Sequence, residues 1–134
     1  MLFQENNIIE NLKAKPEFAE ISKLKCFVKS ETDFNMYFFT YYAESIDELE
    51  NKDEIVRDFI AIYFQGLTVE KDVERWNLYI FFLVQGEVNQ ELKYKIEQDK
   101  YSTRKIVIDK LACEPDDEKT IEIINYELFD EVVS

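Results

Sequence analysis

The sequence predicts one α+β domain, a roughly four-stranded mixed or antiparallel sheet flanked by helices. Three observations carry that prediction. Segments rich in aromatic and β-branched residues alternate with segments whose apolar residues recur at helical spacing. Hydrophobic residues make up 46% of the chain and aromatic residues 15%, with only 2 Gly and 2 Pro, so apolar surface is ample to offset the entropy of ordering. No repeat, low-complexity stretch or Pro/Gly-rich linker divides the 134 residues, so residues 1–134 are expected to fold as a single unit of ordinary domain size.

The elements follow in order. From about residue 4 to 13, Ile8, Ile9 and Leu12 fall on one helical face, and Pro16 suits the first turn of a second short helix carrying Phe18 and Ile21. "KLKCFVKSE" (23–31) and "FNMYFFTYYA" (34–43) read as strands, with the polar "SETD" between them as a hairpin turn. In "SIDELE", Ser45 as N-cap and Glu48 three residues on form a capping box. Leu49, Val56, Phe59, Ile60 and Tyr63 then recur at helical spacing as far as Gly66, which ends the helix. "WNLYIFFLVQG" is apolar nearly throughout, as a strand covered on both faces is, and is expected at the centre of the sheet. "VNQELKYKIEQDKYS" fits both helix and strand. Helix is favoured because Gln, Glu and Lys fill its other positions. "RKIVID" reads as a fourth strand. Asp116 or Asp117 caps a last helix whose buried stripe is Ile121, Ile124, Leu128 and Val132.

Composition narrows the function. With 29 acidic against 16 basic residues and a formal net charge of -13, the chain lacks the cations that displace counterions from a phosphate backbone, so DNA is expected only indirectly. A basic partner surface, or solubility alone, suits the charge better. The 11 Phe and 8 Tyr are more rings than a small core ordinarily uses, and some are expected on a face that meets another protein. "MLFQENNIIENLK" has no basic segment followed by an apolar core, and the longest apolar run, "LYIFFLV", is far short of the roughly 20 residues that span a bilayer. A cytoplasmic protein with no membrane contact is expected, with Cys26 and Cys113 as reduced core thiols.

No catalytic pattern in the sequence is complete. There is no histidine, which removes the commonest general base and metal ligand. Glu91 and Lys93 supply the Glu-x-Lys of a Mg²⁺-dependent nuclease, but the strand before them carries no acid to converge on the metal. Glu97 and Asp99 lie two apart on a helix and face different ways, so a paired acid and base is not expected. Ser45, Ser102 and Thr103 have no activating base, and the only glycines, Gly66 and Gly86, cannot form a phosphate loop. No catalytic residue, no metal and no cofactor is expected.

What remains is a local cationic region. Lys93, Lys95, Lys100, Arg104 and Lys105 make 93–110 the least acidic part of the chain. Arg104 and Lys105 are adjacent at the start of a strand and point to opposite faces, so one is expected to be anchored internally and the other presented. Asp99, five and six residues upstream, is the candidate anchor, and a bidentate pair with Arg104 is one way to use it. Trp76 and Asn77 enter the preceding strand together. Trp76 either plugs the end of the core or makes a contact, and Asn77 is expected to hydrogen-bond a turn.

"ERWNLYIFFLV" and "LKYKIEQDKYSTRKIVI" together resemble the small middle components of bacterial ABC three-component systems, the Lamassu-type anti-phage defence operons. The resemblance covers Trp76, Asn77, Tyr79, Ile96, Glu97, Asp99, Ser102, Arg104 and Lys105, within 75–108. It implies a non-catalytic accessory subunit beside an SMC-like or Rad50-like ABC ATPase and an effector, often a nuclease. On that basis Arg104, Lys105, Asp99, Glu97, Lys100 and Trp76 are expected to bind the partner, with Asn77, Tyr79 and Ser102 structural. The alternative is an acidic DNA mimic that inhibits a nucleic-acid enzyme, motivated by the acidic stretches 44–58 and 114–131.

Overall fold

The computed structural model describes residues 2–65, 77–99 and 103–129. Its centre is a five-stranded mixed sheet in the order β1-β2-β3-β4-β5, formed by Leu2–Gln4, Lys25–Ser30, Asn35–Ala43, Leu78–Gln85 and Arg104–Leu111. The first three strands are antiparallel neighbours, and β3, β4 and β5 run parallel. Parallel neighbours cannot be joined by a tight turn, so each needs a crossover. The crossovers contain α2 (Ile46–Ile60) and α3 (Gln90–Gln98).

Alternation along the strands fills two cores, one on each side of the sheet. On one side Cys26, Phe39, Tyr41, Ile80, Phe82 and Val107 meet α1 (Asn6–Leu12), a 3₁₀ turn at Pro16–Ile21, α2 and α3. On the other, Phe27, Phe38, Phe81 and Leu83 meet α4 (Asp117–Phe129) through Ile124, with Ile121 and Leu128 packed alongside. Two layers of helix around one sheet explain why β3 and β4 read as near-continuous apolar runs.

Local signals account for most boundaries. Ser45 Oγ accepts the Glu48 N–H at 3.1 Å, and Glu48 Oε1 reaches back to the N–H of Glu44 at 2.9 Å, one residue earlier than in the ordinary box. Asn89 caps α3 through the Leu92 N–H at 2.8 Å, and Asp116 caps α4 through the Lys119 N–H at 2.8 Å. Helix α2 widens into a π turn at Ala61–Gln65, and its expected end at Gly66 lies outside the described residues, as does Val132.

Several expectations need correction. The roughly four-stranded sheet gains a short fifth strand, Leu2–Gln4, ahead of the helix expected from about residue 4, because three residues carry too short a pattern to recognise. It pairs with β2 and forms one edge of the sheet. The middle strand is β3, with β4 beside it, because the unread β1 shifts the centre by one. Cys26 is buried, and burial raises its thiol pKa well above the ordinary value, but Cys113 is exposed in the segment after β5 and is no core thiol. Most rings are internal. The exposed large apolar residues among those described are Phe3, Ile62, Tyr94 and Tyr126.

Candidate functional site

The cationic region is built where α2, α3 and β5 meet. Asp99 ends α3 in extended conformation, with its N–H on the Ile96 carbonyl at 3.3 Å, which turns its side chain off the helix axis toward α2. Arg57, from the last turn of α2, donates through Nη1 to Asp99 Oδ2 at 2.7 Å and through Nε to Asp58 Oδ1 at 2.9 Å. Lys105, second in β5, brings Nζ to 3.2 Å from the Asp99 carbonyl oxygen and 3.7 Å from Asp99 Oδ2. One carboxylate therefore ties two helices and a strand together.

Electrostatics separate the two cations held by Asp99. The hydrogen bond to Asp58, opposed by desolvation and reinforced by Asp99, raises the Arg57 pKa above its ordinary value. Lys105 is 3% exposed, and burial lowers its pKa even though the Asp99 carboxylate opposes that shift; Arg57 adds to it. A buried ammonium next to a guanidinium is tolerated because the carboxylate and a carbonyl oxygen are both within reach.

Arg104 is the opposite case. It lies on the α4 side of the sheet, exposed, with its guanidinium carbon 5.9 Å from the centroid of Tyr79. Tyr79 stacks on Phe38 at 5.3 Å and 17°, and Phe38 meets Phe129 edge-on at 6.1 Å. Arg104, Tyr79, Phe38 and Phe27 are register partners on four successive strands, so the arginine ends a straight row of rings. Asp99 is engaged by Arg57 and Lys105, so the bidentate Asp99–Arg104 pair considered from sequence is not formed. The alternation that turns Lys105 to the α2/α3 side turns Arg104 away from it.

The remaining candidates divide. Glu97 Oε2 accepts the Val107 main-chain N–H at 2.9 Å, which fixes α3 to β5. Asn77 accepts the Tyr37 N–H through its carbonyl at 3.0 Å and so begins the β3/β4 pairing. Trp76, Lys100 and Ser102 lie outside the described residues. Glu91, of the Glu-x-Lys triplet, is exposed in the first turn of α3, while Lys93 lines a groove beside β5. Thr103 Oγ1 is buried without a hydrogen-bond partner among the described residues.

Arg57 was missed from sequence. It is the single arginine of α2 and sits between the buried Val56 and the polar face, but nothing in the local pattern names a partner 42 residues away.

The family model for the ABC-three component (ABC-3C) system Middle Component 1 matches residues 36–132, which spans β3 to α4 and includes Arg57, Asp99, Lys105, Arg104 and Tyr79. No curated protein and no solved structure matches the chain.

Proposed function

This chain belongs to the ABC-three component system Middle Component 1 family, and from that premise we propose that it is a non-catalytic accessory subunit that docks on the ABC ATPase of its system. The ATPase is of the SMC-like or Rad50-like kind, the effector is nuclease-like, and the system is a Lamassu-type anti-phage defence. The subunit works in the cytoplasm and meets DNA only through the complex.

The observation that supports this most is the separation of Arg104 from Lys105. Lys105, Asp99 and Arg57 hold the scaffold, while Arg104 is held over Tyr79 at the surface, where a cation pre-positioned by a ring can meet an acid on a larger subunit. Lys105 therefore contributes to docking by fixing β5, and Arg104 makes the contact. Glu97 acts in the same indirect way through Val107.

The alternative, an acidic DNA mimic, is less well supported. Its two acidic stretches fall mainly on α2 and α4, which cover opposite sides of the sheet and do not make one strip.

Co-expression with the ABC ATPase encoded beside the gene tests the reading. The two should co-purify, and Arg104→Glu should weaken the complex at least tenfold with the fold intact. Purified protein that turns over a substrate, or co-purification that never occurs, overturns it.

A further inference from the structure

We propose that the outer edge of β5 is a strand-addition site for an extended, Lys- or Arg-bearing segment of a partner subunit. A groove of about 420 Å³ runs beside β5, lined by the consecutive residues Ile106 to Asp109 together with Lys93, Glu97 and Glu127. Consecutive strand residues point to opposite faces, so only an opening along the edge can be lined by four in a row. Helix α3 forms one wall and α4 the other.

The hydrogen bonds give the direction of the main chain. The Val107 N–H is turned away from β4 and is accepted by the Glu97 carboxylate at 2.9 Å. Ile106 and Ile108 face β4, and the Lys110 N–H goes to the Gly86 carbonyl at 2.6 Å, so by the two-residue alternation Asp109 directs its main-chain groups to the same edge as Val107. No strand lies outside β5 among the described residues. The edge is eight residues long, against three for β1 at the other end of the sheet. Edges of this length are ordinarily blunted, and here a single carboxylate occupies the place that a neighbouring strand's carbonyl takes. Glu97 is thus a removable stand-in for a strand.

Charge selects the occupant. Glu97, Asp109 and Glu127 face one cation, Lys93, around the groove. An entering strand that carries Lys or Arg satisfies Glu97 when it releases the Val107 N–H, whereas an acidic one leaves it unpaired. Two exposed tyrosines are chain neighbours of groove residues: Tyr94, 67% exposed, follows Lys93, and Tyr126, 64% exposed, precedes Glu127. Exposed Tyr suits a protein interface.

The inference rests on the subunit reading for the identity of the partner, but its test uses the isolated full chain. The probes are an octapeptide alternating Lys with Val, a peptide of equal charge interrupted by Pro, and an alternating Glu/Val octapeptide. The Lys/Val peptide should slow amide exchange at Val107 and Asp109 about tenfold and leave Ile106 and Ile108 unchanged, because only outward amides gain a strand partner. Glu127→Lys should weaken the effect and Lys93→Glu strengthen it, both at surface positions that leave the fold intact. Glu118→Lys, the same charge change at an exposed α4 position outside the groove, should do nothing. No binding, equal binding of the Pro-interrupted peptide, or equal binding of the Glu/Val peptide overturns the proposal. Failure here leaves co-purification with the ATPase unaffected, so the two readings fail separately.

Discussion

The Lys105 ammonium lies 3.7 Å from the Asp99 carboxylate and 3.2 Å from the carbonyl oxygen of the same residue, on a lysine side chain that is 2% exposed. Asp99 is shared, with Arg57 at 2.7 Å on the same oxygen. The pair is therefore a junction of three elements, and removing either side has different consequences. Asp99→Asn removes the anion that Arg57 and Lys105 share, leaving the Arg57 guanidinium on Asp58 and the Lys105 ammonium without its carboxylate, and should destabilise the protein by about 2 kcal/mol in urea unfolding. Lys105→Met keeps the stem and removes the buried charge, and should stay within about 1 kcal/mol of the parent. A larger loss from Lys105→Met than from Asp99→Asn contradicts this account.

The exposed arginine makes a different prediction. Arg104→Glu should change stability by no more than about 0.5 kcal/mol, because the side chain is on the surface and its ring contact is weak. Its effect belongs in complex formation, where the lost affinity should shrink as salt is raised. Lys105→Glu is the wrong probe of the same idea, because it buries an acid beside Asp99 and loses the fold together with the contact.

Acid sensitivity should be focused at Glu48. Burial pushes its pKa up, but the Lys23 ammonium, the Glu44 N–H and the Tyr41 hydroxyl outweigh this and hold it below the ordinary 4.5. Lys23 is 2.5 Å and Tyr41 2.8 Å from the carboxylate. A lowered folded pKa means that the unfolded chain binds more protons in the window below 4.5, so the stability gained is full above that pH and is lost as pH falls through the folded value. Glu48→Gln should reduce stability at neutral pH and flatten the acid limb of a stability-pH curve relative to the parent.

On the other side of the sheet, Ile124 is fully buried and is the one hydrophobic residue of α4 in that state among those described. Ile124→Ala should cost about 3 kcal/mol by chemical denaturation. Ile123→Ala, one position round the helix and partly buried, should cost much less. Equal losses indicate that α4 sits on the sheet in a different rotation.

Most elements were legible in the sequence because their signals are local. Ser45 and Glu48 mark a helix start whatever surrounds them, and "LYIFFLV" is apolar on both faces because two helical layers cover it. The β1 strand was not legible, since three residues pair only because β2 is beside them. The candidate site was half legible. Adjacency of Arg104 and Lys105 in a strand fixes that they point opposite ways, and that much was read directly. Which one is anchored depends on the side of the sheet that α2 and α3 occupy, because Arg57 and Asp99 come from those helices.

By itself the sequence determined a single α+β domain, the order of its main elements and a pair of cations on opposite faces of one strand. Only the tertiary structure decided that Lys105 is the inner one and Arg104 the outer, and that Glu97 closes an open edge. The reason is distance along the chain: propensity and periodicity act over a few residues, whereas Arg57 reaches Asp99 across 42, and only packing brings them to 2.7 Å.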